Sequence, residues 1–243
     1  MRIQNFLCLS VLFSAAFNLT AHADPDRQAA IELGKEVQAL QDKQKQKGLS
    51  SEEIAKESNQ IFNNFEQRVE GQEDKVVISV AKNVAAQFAG KLVDYSNFLN
   101  KVAEPTFFDM KVVQDTKILD QQIITAKEYL QRSKTMAEES KNQPALIRKA
   151  LEEKNIDSKS IQQFLNGMAQ SEAGSEKTPV KIMTARTKHA ELILKALEQL
   201  KTWKGKWTFN DAKGVIVFNS KDDLKLWTDD IITPLIAVEE KLA

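Results

Sequence analysis

From Glu73 to Ala103, apolar side chains return every third or fourth residue without a break: Val76, Val77, Val80, Val84, Phe88, Leu92, Tyr95, Leu99 and Val102. That spacing lays a single stripe along a helix of 3.6 residues per turn and leaves the opposite side polar. A stripe of about eight turns can be covered only by other long helices, so this segment commits the chain to a bundle. Ala81, Ala85, Ala86, Ala89 and Gly90 run beside it and are expected to let a neighbouring helix approach closely. Lys75, Lys82, Lys91 and Asp94 mark a solvated side, which argues for a two-faced core helix rather than one wrapped in lipid. Only 8 glycines and 5 prolines in 243 residues agree with helix throughout.

The remaining segments repeat the pattern. Asp24 to Lys47 places Ala30, Ile31, Leu33, Val37 and Leu40 at helical spacing, and Gly48 stops it. Ser50 with Glu53 forms a capping box that starts a helix running to about Glu70, with Ile54, Ile61, Phe62, Phe65 and Val69 on its apolar side. Glu104-Pro105 ends the central helix. A further helix is expected from about Thr106 to Lys141, broken at Asn142-Gln143-Pro144, with a short helix from Ala145 to Lys154 after the break. Asp157 is placed to cap Ser158 to Ala173, and the polar run Ala173 to Thr178 reads as a loop before a helix from Pro179 to about Trp203.

Then the period changes from helical to alternating. Trp207-Thr208-Phe209-Asn210, the turn residues Asp211-Ala212-Lys213-Gly214, and Val215-Ile216-Val217-Phe218 predict a β-hairpin within about 205–219. Gly214 supplies the left-handed turn position. Ser220 and Asp223 restart a helix, which Pro234 should kink or split at Thr233. The expected fold class is therefore mainly α: a bundle of long amphipathic helices with a small C-terminal β-hairpin, forming a single helical domain over 24–243. Apolar residues from Leu224 to Leu242 return at coiled-coil-like intervals, and long amphipathic helices are compatible with a homo-oligomer.

The first 23 residues read as a signal peptide. Met1-Arg2 is a short positive start, Phe6 to Leu19 is too short an apolar run to span a membrane, and Ala21-His22-Ala23 suits cleavage between Ala23 and Asp24. The expected location is the periplasm, or outside the cell after secretion, with no transmembrane span. Cys8 is the sole cysteine and leaves with the signal, so the processed chain has no disulfide and no thiolate ligand. Basic and acidic residues number 34 each, and loss of Arg2 leaves a net charge of about −1. Such a balance argues against nucleic acid as a partner.

Chemistry-bearing constellations are sparse. His189 is the histidine left after processing, and Glu191, two residues on, points to another side of a helix rather than completing a ligand pair. Zincin, EF-hand and haem-attachment spacings are missing, and a His–Met haem pairing of His189 with Met183 or Met168 has no sequence rule behind it. No phosphate-cradling glycine loop and no nucleophile elbow occur. The carboxylate pairs (Glu52-Glu53, Glu138-Glu139, Glu152-Glu153, Asp222-Asp223, Asp229-Asp230 and Glu239-Glu240) are sequence neighbours that diverge by about 100° on a helix. They do not face each other across a cleft as a glycosidase requires. The reading is no catalytic residue, no metal ligand and no cofactor.

Trp203, Trp207 and Trp227 all fall in or beside the hairpin, with Phe209 on its first strand. A two-stranded hairpin is marginal alone, so these rings either fasten it to the flanking helices or form a partner contact. Both readings stand at this point, and the four residues are the candidate contact set.

The C-terminal third resembles an uncharacterised family of Gram-negative envelope proteins, often lipoproteins, grouped as a domain of unknown function. The residues carrying the likeness are Trp207-Thr208-Phe209 through Gly214-Val215-Ile216-Val217-Phe218, the Ser220 helix start, and Ile231 to Leu235 with Pro234. Phe98 to Leu130, passing through Pro105, is similar to it as well. Those relatives carry a lipidated cysteine after the signal, and this chain has none there. The resemblance implies an envelope location. Taken together, the expected role is a non-enzymatic envelope interaction protein: an accessory factor, or an inhibitor or immunity-type binder of another exported protein. A carrier of a small apolar ligand or lipid, and an enzyme with a carboxylate site assembled only in three dimensions, are the alternatives.

Overall fold

The computed structural model describes residues 24–103, 107, 109, 111–174 and 178–242. The expected signal peptide, the Glu104-Pro105 break and part of the 173–178 loop lie outside them. The fold is a mainly helical bundle with a small C-terminal antiparallel hairpin, as the periodicities predict. The helices are α1 (Asp24–Lys47), α2 (Ser51–Arg68), α3 (Gln72–Val102), α4 (Thr116–Glu153), α5 (Ser158–Gly174) and α6 (Pro179–Thr202). Strands β1 (Trp207–Asn210) and β2 (Val215–Phe218) follow, then α7 (Lys221–Trp227), a π turn at Thr228–Ile232 and α8 (Thr233–Leu242).

The chain divides into two compact units, and α3, α4 and α6 contribute residues to both. The first combines residues up to Ser96 with Glu138–Lys181. Its core takes Leu33, Val37 and Leu40 from α1, Ile54, Phe62 and Phe65 from α2, and Val77, Ile78 and Ala81 from α3. Ile147 and Leu151 of α4 and Phe164 and Met168 of α5 complete it. Ser50 makes the predicted capping box: its hydroxyl accepts from the Glu53 amide at 3.2 Å, and its own amide donates to the Glu53 carboxylate at 2.8 Å. The small-residue strip divides. Ala81 and Ala85 are buried, while Ala86 and Gly90 are exposed, and a Cβ at Gly90 would meet nothing within 4 Å. By length and composition α3 could also cross a membrane; in the fold, one side of it builds the core.

The second unit combines Asn97–Ala137 with Ile182–Ala243. Its core joins Leu119, Ile123 and Ala126 of α4 to Ile193, Ala196, Leu197 and Leu200 of α6, and closes with Trp207, Trp227 and Ile231.

Two boundaries differ from the sequence reading. Residues expected to open a helix at Thr106 instead include a single 3₁₀ turn at Val112–Gln114, and α4 begins at Thr116. Asp115 sets that start by accepting from the amides of Lys117 at 2.7 Å and Ile118 at 3.3 Å. At the other end α4 does not break at Pro144 but runs through it to Glu153. Proline withdraws one amide and crowds the preceding turn. Here the buried row Ser133, Met136, Ser140, Gln143, Ile147 and Leu151 keeps its period across the site, so packing on both sides holds the helix together.

Pro234 acts as predicted. The helix after Ser220 gives way to a π turn in which the Thr233 amide donates to the carbonyl of Thr228, and α8 restarts at Thr233. The carbonyl of Asp230, which would have received an amide from position 234, accepts from Lys195 Nζ at 3.4 Å instead.

Candidate functional site

The hairpin follows from its turn. The register pairs Trp207 with Phe218, Thr208 with Val217, Phe209 with Ile216 and Asn210 with Val215. Gly214 sits at φ +65° and its amide donates to the Asn210 carbonyl at 2.8 Å, the conformation for which glycine is suited. Gly205, at φ +84°, turns the chain out of α6. Asn219 then clamps the open end, donating from its amide to the Lys206 carbonyl and from its side chain to the Gly205 carbonyl, each at 2.9 Å.

Strand alternation sorts the hairpin into two sides. The inner side carries the candidate aromatics. Trp207 is buried, and its indole N–H donates to the Leu200 carbonyl at 2.9 Å. Trp227 is buried as well, with its ring 5.7 Å from that of Phe218, and Phe218 meets Trp203 edge-on at 5.9 Å. Trp203 and Phe209 are half-buried. The structure thus brings the three tryptophans together around Phe218, where they fasten the hairpin to α6 and α7. A marginal two-stranded sheet acquires its stability from that packing.

The outer side is the one sequence reasoning passed over. Val215 is 46% exposed and Val217 is 43% exposed, and the alternation puts Lys206 and Thr208 on the same side. Leu224, Leu226 and Ile236 are about half exposed on the helices that follow. The strand pattern could have indicated this: with Trp207 and Phe209 inward, the register forces Val215 and Val217 outward.

A second cluster lies inside the same unit. α4 presents Tyr129 to His189 of α6, with the phenol oxygen 3.1 Å from Nδ1 and the rings edge-on at 5.8 Å. Glu239 of α8 stands 3.7 Å from Nε2. One tautomer satisfies both: Tyr129 O–H donates to Nδ1, and the proton on Nε2 points toward the carboxylate. Burial, reinforced by the charge of Arg186, holds His189 down to about 4, so it is a neutral imidazole at neutral pH. Burial likewise pushes the Tyr129 phenol up, with Arg186 partly opposing the shift. Arg186 is itself buried and makes no ion pair among the described residues. Arg132 lies over the Phe98 ring at 4.7 Å.

Among the described residues no three His, Asp, Glu or Cys side chains converge on a point that could hold a metal. The carboxylate pairs lie on solvated surface: Glu53 caps α2, Glu139 pairs with Lys91 at 2.6 Å, and Asp230 pairs with Lys195 at 3.2 Å. A cleft of about 670 Å³ lies between α1 and α2, with Glu36, Lys43, Glu53, Lys56 and Glu57 in its lining and the Lys43–Glu57 ion pair bridging it. Five of its ten lining residues are charged, whereas sites for apolar ligands are lined mostly by apolar side chains. No family model, curated protein or solved structure matches the chain.

Proposed function

We propose that this chain is a non-enzymatic interaction protein of the cell envelope, exported by its N-terminal segment, which binds another exported or envelope protein through its C-terminal unit. One observation carries the reading. Of the nine large apolar side chains that are prominently exposed among the described residues, five lie within the last thirty residues, and three of these, Leu224, Leu226 and Ile236, stand on the helices after the hairpin, where the partner is received. Exposed apolar side chains scattered singly are ordinary, whereas a concentration of them favours association. The aromatic residues play the supporting part: Trp207 and Trp227 stiffen the element that presents these side chains.

The test is co-purification from envelope extract with the intact chain and with a Leu224→Asp/Leu226→Asp variant, both confirmed as folded by circular dichroism. The intact chain should retain a defined protein that the variant loses by about tenfold or more, since each replacement puts a charge where an apolar contact is required. A partner retained equally by both baits would remove the C-terminal surface from the account. Substrate turnover abolished by one carboxylate substitution would replace the interaction reading with an enzymatic one.

A further inference from the structure

The outer side of the hairpin joins apolar tips to free cations. Val215 and Val217 project into solvent, with Lys206 on their side by strand alternation and Lys213 in the turn. Both lysines are exposed and make no ion pair among the described residues. The neighbouring acids are partly engaged: Asp211 pairs with Lys111 at 3.2 Å, and Asp222 and Asp223 complement the capped start of α7.

We infer that this side of the hairpin docks on an anionic lipid surface, with Val215 and Val217 entering the boundary between headgroups and acyl chains while the lysines reach the phosphates. A bilayer surface asks only for projecting apolar area and positive charge, without a shaped pocket or fixed hydrogen bonds. A protein hot spot would ask for large rigid anchors, and the hairpin's anchors, Trp207 and Trp227, are committed inward. The charge complements phosphodiester headgroups, and the two valines supply too little area for permanent insertion, so the docking is reversible and sensitive to salt.

The experiment is co-sedimentation of the purified protein with vesicles of phosphatidylglycerol mixed with phosphatidylethanolamine, against vesicles of phosphatidylcholine alone. Binding should be confined to the anionic vesicles and fall by about tenfold or more on moving from low to high salt. Lys206→Glu/Lys213→Glu should weaken it by a similar factor, and Val215→Asp/Val217→Asp should do the same. Lys149→Glu/Lys159→Glu, an equal charge change on exposed positions of the other unit, should leave binding unchanged. Every variant carries the same N-terminal segment, and circular dichroism with a thermal melt checks that each is folded. Equal binding to both vesicle types, no binding at low salt, or equal loss in the Lys149/Lys159 control would each overturn the inference. Capture of an acidic protein by this side, with vesicles ignored, would overturn it too, and would leave the protein-interaction reading above intact.

Discussion

His189 owes its protonation state to its neighbours. Helix α6 carries it into an interior where Tyr129 occupies one ring nitrogen and Arg186 adds positive charge nearby, so the imidazolium is disfavoured. The folded value of about 4 lies below the ordinary histidine value of 6.5. The unfolded chain therefore takes up this proton first as pH falls. Stability from keeping His189 neutral is fully present above about pH 6.5, is lost progressively between there and about pH 4, and is flat below. The loss should reach about 3 kcal/mol at most, read as a falling urea midpoint. Because carboxylates titrate in the lower part of the same window, the measurement is the difference between the wild-type protein and His189→Gln. The variant should show a shallower slope between pH 7.5 and 5, and equal slopes would remove His189 as the cause. The sequence marked His189 as a lone histidine on a helix but could not show its burial, because Tyr129 lies sixty residues away in the chain.

At the scale of elements, the local signals that were legible are those whose chemistry is complete within a few residues. The Ser50 capping box, the Asp157 cap with its bond to the Ser160 amide at 3.1 Å, the Gly214 turn and the Pro234 interruption each need only near neighbours. Pro144 was different, because tertiary packing decides its outcome. The inward row of α4 passes through Ser140, Gln143 and Ile147, and the polar members of that row hid it from a search for apolar residues. Ile124, apolar but 59% exposed, lies off that row, while Tyr129 is buried in it. If packing holds an intrinsically unfavourable residue in place, Pro144→Ala should raise stability by about 1–3 kcal/mol, because alanine restores the missing amide and relieves the ring crowding. Thermal melting measures this directly. A lower melting temperature would contradict that account of Pro144.

At the scale of the molecule, apolar periodicity was sufficient for the bundle and alternation for the hairpin, but neither disclosed two compact units with separate cores. That division depends on which parts of the long helices α3, α4 and α6 pack with which partners, and such pairing leaves no local mark. The hairpin was legible in place but not in orientation. The tryptophans pointed to the hairpin, and its register turned the valines, rather than the tryptophans, to solvent. The most direct test is photo-crosslinking in intact cells, with p-benzoylphenylalanine placed singly at Leu226, at Val217 and at the exposed Gln87 of the other unit. A discrete protein adduct from position 226, lipid adducts from position 217 and only background from position 87 is the predicted result. Background from all three positions, or the same adducts from position 87, would mean that the C-terminal unit is not where this protein meets its partners.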